Sequence, residues 1–503
     1  MTLAYVVAVI AGLSMWRMTP PAIIAASIEG LAIAASVLWI VFGAILLLKL
    51  LTEGHAIDRI RAGLATVSPE PRVQLVVIGW TFGAFLEGVA GFGTPAAITA
   101  PLLVGLRFSR VAAVTLALVA NSSPVAFGAI GTPIAIGLHE GLRQNSQTAE
   151  ITGLIGDAVQ IATAIDLVAG SLVPLALILL YSRFFSDQRN WISALEYWRF
   201  ALFAGLAYTF PAFLVAEFFG PELPALVGAL CAIALVVPAA QRGWLLPRLQ
   251  QADPSPPAFL SSPTVSLGRA WAPYLVVAVL LLFSRVDLLP IKAILQGVSV
   301  TWEEILGTPI SMSLSPLYLP GTMFLIAALS TLLILPLNRE RIRRATRETF
   351  KVSAASAVTL FAAVSMVRVF VHSEINSGDL PSMPMALATL AADAAGENWP
   401  IIAPFIGALG SFLSGSATFS NMTFALLQLT AAEQAGQQPD IVLGAQILGA
   451  SAGNMVSVVN VVAAAAVVGL VGREGAIIRI TLLPMLAYCA TVGLLAAAVS
   501  FAS

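Results

Sequence analysis

The sequence predicts an all-α polytopic membrane protein, and three observations carry that prediction. Of 503 residues, 58% are hydrophobic and only 10% are charged, against about 25% charged in soluble globular chains. Mean hydropathy is +0.92. The apolar residues come in continuous runs, each near the 20 or so residues a bilayer-spanning helix needs, and not in the alternation of a β-barrel. So few charges cannot cover a water-soluble body of this size. A soluble enzyme, a disordered chain and a nucleic-acid binder are excluded.

The remaining composition adds little chemistry. A net charge of −1 implies no bulk electrostatic partner. Cys231 and Cys489 lie in apolar runs without metal spacing, and two cysteines make no disulfide framework. His55, His139 and His372 are too scattered for a zinc site. No metal, no cofactor and no enzymatic activity are expected. The N-terminus, MTLAYVVAVIAGLSMW, has no basic start and no small-x-small cleavage site before Arg17. It reads as a retained first span, not a removed signal peptide.

Eleven spans are expected, near 2–17, 22–50, 111–137, 154–181, 200–219, 221–240, 270–286, 319–337, 352–371, 441–470 and 476–500. Two further apolar blocks, 73–106 and 399–431, are interrupted by glycine and small polar residues. Orientation follows from Lys and Arg, which gather on the cytoplasmic side. The richest cluster, RERIRRATRETFK from Arg339 to Lys351, sets a basic loop at 338–351 inside. Counting spans backwards puts 240–269 inside as well, with a flexible linker at 252–263. Block 73–106 has Arg59, Arg61 and Arg72 before it and Arg107 and Arg110 after it, so both of its ends face the cytoplasm. Block 399–431 is flanked by acids alone, Asp393 and Glu397 before and Glu433 and Asp440 after, which places both ends outside. Each block is predicted to be a re-entrant hairpin or a tight pair of spans. Seven spans separate them, and an odd number inverts them. Arg17, Arg285 and Lys292 fall outside against the rule.

The two blocks also resemble each other. GAFLEGVAGF at 83–92 and GSFLSGSATF at 410–419 match without a gap at Gly83/Gly410, Phe85/Phe412, Leu86/Leu413, Gly88/Gly415, Ala90/Ala417 and Phe92/Phe419. After each comes a span broken by polar residues. The first break holds Asn121, Ser122, Ser123 and Pro124; the second holds Asn454, Ser457 and Asn460. Inverted repeats with broken helices at mid-membrane are the pattern of secondary transporters.

These residue types suit a transport site. Backbone that stops being helical within a bilayer must line a cavity or bury itself in protein. The predicted tips are GVAGFGTP, with Gly88, Gly91, Gly93 and Thr94, and SGSATFSNM, with Ser414, Ser416, Thr418, Ser420 and Asn421. A helix that begins after such a tip offers unpaired N–H groups and a partial positive charge, which bind a carboxylate without lysine or arginine. The Ser, Thr and Asn side chains add donors that suit a hydroxyl group. Helix packing by small residues is the competing explanation, and two matched tips with two matched breaks weigh against it. Four acids lie in apolar segments: Glu29, Glu87, Asp157 and Asp166. Such acids are functional candidates. Glu87, beside the first tip, is the expected proton carrier, with Asp166 second. Arg368, near the outer end of its span, is a candidate carboxylate partner, for substrate or for an acid, or else a side chain that snorkels to the interface.

Longer stretches then identify a family resemblance. FGAFLEGVAGFGTPAAITAPLLVGL (Phe82 to Leu106), LVANSSPVAFGAIGTPI (Leu118 to Ile134), FFGPELPALVGAL (Phe218 to Leu230), APFIGALGSFLSGSATFSNMTFALLQ (Ala403 to Gln428) and GNMVSVVNVVAAAAVVGLVGREG (Gly453 to Gly475) resemble the bacterial lactate permeases. This sequence departs from the family pattern at Ser416-Ala417-Thr418, where asparagine is usual in the middle, and at Ser457-Val458-Val459, where proline is frequent. The resemblance implies a multi-pass symporter of the inner membrane that takes up lactate, in some members glycolate, with protons. It also implies an elevator motion, as in dicarboxylate/sodium symporters with two opposed hairpins. On that scheme 1–72 and 182–398 are scaffold, while 73–181 and 399–503 are the moving repeats. The expected partners are a small organic anion, a coupled proton and the lipid bilayer, with no nucleic acid; further copies of the chain stay an open alternative. The rival function is a sodium-coupled carrier of another organic anion, a dicarboxylate or a sulfonate.

Overall fold

The computed structural model describes residues 2–91, 94–143, 148–186, 189–247, 265–285, 290–470 and 472–502. The predicted linker at 252–263 and Gly93 lie outside the described residues, as does the side chain of Thr94.

Among the described residues, nine helices are long and apolar enough to cross a membrane, and five apolar helices of 10–17 residues accompany them. The one sheet described is a small antiparallel pair, Val300–Trp302 with Met312–Leu314. Two stretches expected to be loops are helical. The basic run begins a continuous helix, Arg339–Val371, capped by Asn338, whose side chain accepts the Arg341 N–H. Positive charge marks the side of the membrane but leaves the backbone free, and arginine is a good helix former. In the acidic outer region, Met383–Ala395 is also helical. The first apolar run is helical only over Thr2–Ser14.

The Pro20–Glu53 helix starts on Thr19, whose hydroxyl accepts the Ala22 N–H, with proline in the first turn. It packs along Arg339–Val371, and Gly30 there lies against the Ser365 backbone, where a Cβ would collide. Small residues let membrane helices approach this closely.

Both interrupted blocks fold as antiparallel helix pairs. In the first, Pro71–Val89 is followed by Thr94–Gly105, with Gly91 at φ +55° in the turn. Its two feet lie together: Arg72 Nε donates to Ser182 Oγ at 3.0 Å, and the Phe108 ring sits 5.1 Å from that of Tyr181. In the second, Trp399–Ser414 is followed by Ala417–Gln434, with Gly415 left-handed at φ +79°. Its feet meet through Trp399 Nε1, which donates to Gln428 Oε1 at 2.9 Å. Glycine is required at both turns because a Cβ penalises positive φ.

The register read from the repeat does not survive. Gly88, aligned with Gly415, is inside the helix that ends at Val89, and the left-handed residue of the first turn is Gly91, three positions on. Gly88 is glycine for another reason. It lies against helix Pro224–Gln241, where a Cβ would sit 2.8 Å from the Leu226 nitrogen.

Both expected breaks are present. The Arg110–Ala120 helix gives way at Asn121 to an irregular passage in which Ala129, Ile130 and Gly131 are all left-handed, and helix resumes at Pro133. Positive φ in the β-branched Ile130 is a strained conformation. The Pro439–Gly453 helix stops at Asn454, and Val458–Val467 restarts on Ser457, whose hydroxyl accepts the Asn460 N–H.

Candidate functional site

The first arm, the second turn and the two breaks converge on one small cavity. The first arm supplies Glu87; the first break supplies Val125, Gly128, Ala129 and Pro133; the second turn supplies Gly415 to Thr418; the second break supplies Asn454. The cavity measures about 20 Å³, enough for one water and no more.

Glu87 is buried, and Asn121 Nδ2 donates to its Oε2 at 2.8 Å. The carboxyl lies on the bare face of Gly128, where a Cβ would come within 3.0 Å of Cδ and closer still to Oε1. Across the cavity, Ser416 caps the second arm by accepting the Phe419 N–H at 3.3 Å. The next two residues, Ala417 and Thr418, occupy the first helical positions, whose N–H groups have no partner within the helix, and both line the cavity. Asn454 adds a buried Oδ1 with no hydrogen-bond partner. One wall is therefore a carboxylate, the other the positive end of an 18-residue helix.

The other expected site residues fall around this centre. Ser123 Oγ donates to Asp166 Oδ2 at 2.5 Å, and Tyr488 donates to Oδ1 at 2.5 Å. Asp166 thus ties the first break to helix Glu474–Ala502 and does not line the cavity. Ser122 accepts the Ser451 hydroxyl at its carbonyl, which joins the two breaks. Asn421 Nδ2 donates to the Pro133 carbonyl at 3.0 Å, and Ser420 Oγ to Gly407 at 2.7 Å. Ser414 braces the second turn through its bond from the Ser416 N–H at 3.3 Å. Gly91 packs against Ala129. Asn460 is buried one turn beyond the second break, away from the cavity. Arg368 is fully buried and paired with Glu29, so of its three sequence-level roles the structure shows pairing with an acid.

Several residues of this region were not singled out by sequence. Gln428 and Gln446 bridge the arms of the second hairpin to helix Pro439–Gly453, with Gln428 Nε2 donating to Gln446 Oε1 at 2.8 Å. Glutamines inside apolar helices were the available signal. Ser451 and Tyr488 carried none beyond their residue type.

The fold and the site define a polytopic helical membrane protein built around a small polar cavity of opposite electrostatic ends. Comparison with known proteins makes this specific. The family model described as L-lactate permease matches residues 1–502, and the chain belongs to that family. A Haemophilus influenzae relative is 31% identical over 473 residues, 89% of this chain and 84% of its own. The L-lactate permease of Salmonella typhimurium is 29% identical, covering 91% of this chain and 83% of the relative. The glycolate permease GlcA of Escherichia coli is 29% identical with the same coverage. Among solved structures, the Alcanivorax borkumensis YdaH transporter aligns over 92% of this chain and 85% of its own, at TM-score 0.43 and 16% identity. The chain is a transport protein and not an enzyme, and it is a multi-pass protein of the inner membrane.

Proposed function

We propose that this chain imports a small 2-hydroxy monocarboxylate, lactate or glycolate, by proton symport. The observation that carries the reading is the small cavity on which the first arm, the second turn and both breaks meet, with the Ser416-capped helix start facing Glu87. The helix start suits a carboxylate, and Asn454 and Thr418 suit the neighbouring hydroxyl. No lysine or arginine lines the cavity, which fits one carboxylate better than two. Glu87 carries the coupled proton: neutral, it no longer repels the substrate anion across so short a gap. Asp166, already holding two hydroxyl donors, positions the first break.

The two hairpins are re-entrant from opposite faces, and the repeats 73–181 and 399–503 move as one body against the scaffold. Their mutual packing supports this grouping. Gly137 and Gly141 lie against the backbone of Thr418 and Met422, Gly444 lies against that of Ala158, and Asn421 bonds across to the first break. A guest larger than water needs the second turn, Gly415 and Ser416, to swing aside.

The test is uptake of labelled lactate and glycolate into proteoliposomes with an imposed pH gradient, with and without sodium. Acid outside should drive accumulation, and Glu87→Gln should abolish the response to the gradient while leaving exchange of internal for external substrate. Wild-type uptake that follows sodium and ignores the pH gradient would refute proton symport.

A further inference from the structure

Three side chains beside the cavity take no part in its polar chemistry. Val125 from the first break, Ala417 from the start of the second arm and Ala450 from helix Pro439–Gly453 are buried and pack on one another as a small apolar cluster, apart from the main core. Val125 and Ala417 also line the cavity. Of the other lining residues, Ala129 and Pro133 are apolar and the rest are polar or glycine. Ala450 backs the pair from behind. At its level helix Pro439–Gly453 lies backbone to backbone on Trp399–Ser414, since a Cβ on Gly407 would sit 2.7 Å from the Ala450 nitrogen. Close-packed backbone of this kind does not recede to make room.

Apart from one hydrogen, C2 of a 2-hydroxy acid carries a carboxylate, a hydroxyl and a third group. That group is hydrogen in glycolate, methyl in lactate and ethyl in 2-hydroxybutyrate. On the proposed reading the first two are already placed. The carboxylate lies on the N–H groups of Ala417 and Thr418. The hydroxyl donates to Asn454 Oδ1, a buried acceptor with no other partner. An anion held on the Ala417 N–H is two bonds from the Ala417 methyl, which packs on Val125. The third group of C2 therefore meets an apolar surface next to the atoms that hold the carboxylate. Hydrogen leaves that surface uncovered, and a methyl covers it.

We infer that Val125 and Ala417 form the subsite for the alkyl group on C2 and set the preference of the carrier among 2-hydroxy acids, lactate above glycolate. Both are specificity-determining residues: their side chains touch the alkyl group and hold neither the carboxylate nor a proton. Ala417 is also one of the two places where the chain departs from the pattern it otherwise resembles, asparagine being usual there. Alanine takes an amide out of the patch and leaves a methyl in its place. With Ala450 fixed behind them, the two residues also bound the length of the alkyl group, and the side chain of Val125 sets that limit. The inference rests on the proposed substrate class and deepens it.

The test is exchange of labelled glycolate, lactate and 2-hydroxybutyrate into proteoliposomes loaded with all three unlabelled acids, without a pH gradient. Rates are read as ratios between acids within one preparation, which the amount of folded protein does not alter. Wild type should take lactate over glycolate by about tenfold, the lower end of what one carbon contributes in an apolar pocket. Val125→Thr keeps the shape of the side chain and sets a hydroxyl in the patch, so it should reduce that ratio by about fourfold, the equivalent of one buried CH₂. Val125→Ala opens space for a further carbon and should raise 2-hydroxybutyrate relative to lactate by about the same factor. Should the Val125 variants be inactive, Ala417→Ser carries the test, with the lactate-to-glycolate ratio expected to fall. A wild type that takes the three acids alike, or ratios unchanged in the variants, overturns the inference alone. Exchange of none of the three overturns the proposed substrate class and the inference with it, so the two failures are told apart.

Discussion

Replacing Glu29 with glutamine keeps the shape of the side chain and deletes the negative charge at the middle of the buried cluster. Glu29 is 1% exposed and receives bonds from Arg368, Arg143 and His372. Before the change two acids, Glu29 and Glu140, oppose two arginines; afterwards one acid opposes two. Breaking a buried pair by removing one partner costs about 3–5 kcal/mol. A unit pair near 4 Å at an effective dielectric of 20 gives about 4 kcal/mol, in agreement. Unfolding entropy scales to roughly 1 kcal/mol per degree for a chain of this length, so Glu29→Gln should lower the melting temperature by about 4 °C. The double change Glu29→Gln with Arg368→Met leaves Arg143 opposite Glu140 and restores formal neutrality, so it should recover at least half of that loss. Thermal unfolding of the purified protein, followed by tryptophan fluorescence, measures Glu29→Gln, Arg368→Met and the double variant. A single mutant within about 1 °C of wild type, or a double mutant as unstable as the sum of its singles, would show that water screens the cluster.

Two further outcomes test the cavity. Ser416→Ala removes the cap on the substrate-facing helix, a loss of about 1 kcal/mol, and should raise KM for lactate uptake about fivefold; Ser416→Asn, which keeps a capping acceptor, should restore it. Gly128→Ala forces a methyl into the Glu87 carboxyl. Overpacking of this kind costs about 1–3 kcal/mol, so uptake should fall at least about fivefold, while Gly153→Ala, with nothing within 4 Å of the new carbon, should transport normally. Equal uptake by the two alanine variants would remove Glu87 from the site.

The centre of the site was legible because its signals are local. Non-helical backbone in an apolar run needs glycine, proline and short polar side chains, and those letters stand together at Gly88 to Pro95, Asn121 to Pro124, Ser414 to Met422 and Asn454 to Ser457. Register was not legible, since Gly88 and Gly91 look alike in sequence and only packing against Leu226 or a left-handed φ tells them apart. Asp166 and Asn460 drew notice as polar residues in apolar runs, a signal that marks burial and not which cavity a side chain faces. The charge cluster was invisible as a cluster. Glu29 and His372 lie 343 residues apart; Glu29 reads alone as an acid in an apolar segment, and His372 as a loop residue at a membrane edge. Arg143 and Glu140 read as loop residues.

One wall links the site to a larger space. A crevice of about 490 Å³ is lined by Ile40, Gly220 to Glu222, Lys292 and Tyr318 to Pro320 together with Ile130, Thr132, Ile134 to Ile136 and His139. Neighbouring residues of that same short stretch, Gly128, Ala129 and Pro133, bound the small cavity at Glu87. A single thickness of irregular backbone therefore separates a space that holds one water from a space that admits a whole carboxylate. That backbone is also where left-handed residues concentrate, with Ala129, Ile130 and Gly131 in succession and Gly131 seated against the Pro221 carbonyl. Non-glycine residues in this region cost about 1–3 kcal/mol each and persist only under restraint from their surroundings. Among those restraints is the grip of Arg368 and Glu29 on Glu140 and Arg143 a few residues downstream. On the proposed reading, the charge cluster and the substrate cavity are thus two ends of one segment, with the left-handed Ala129 and Ile130 between them.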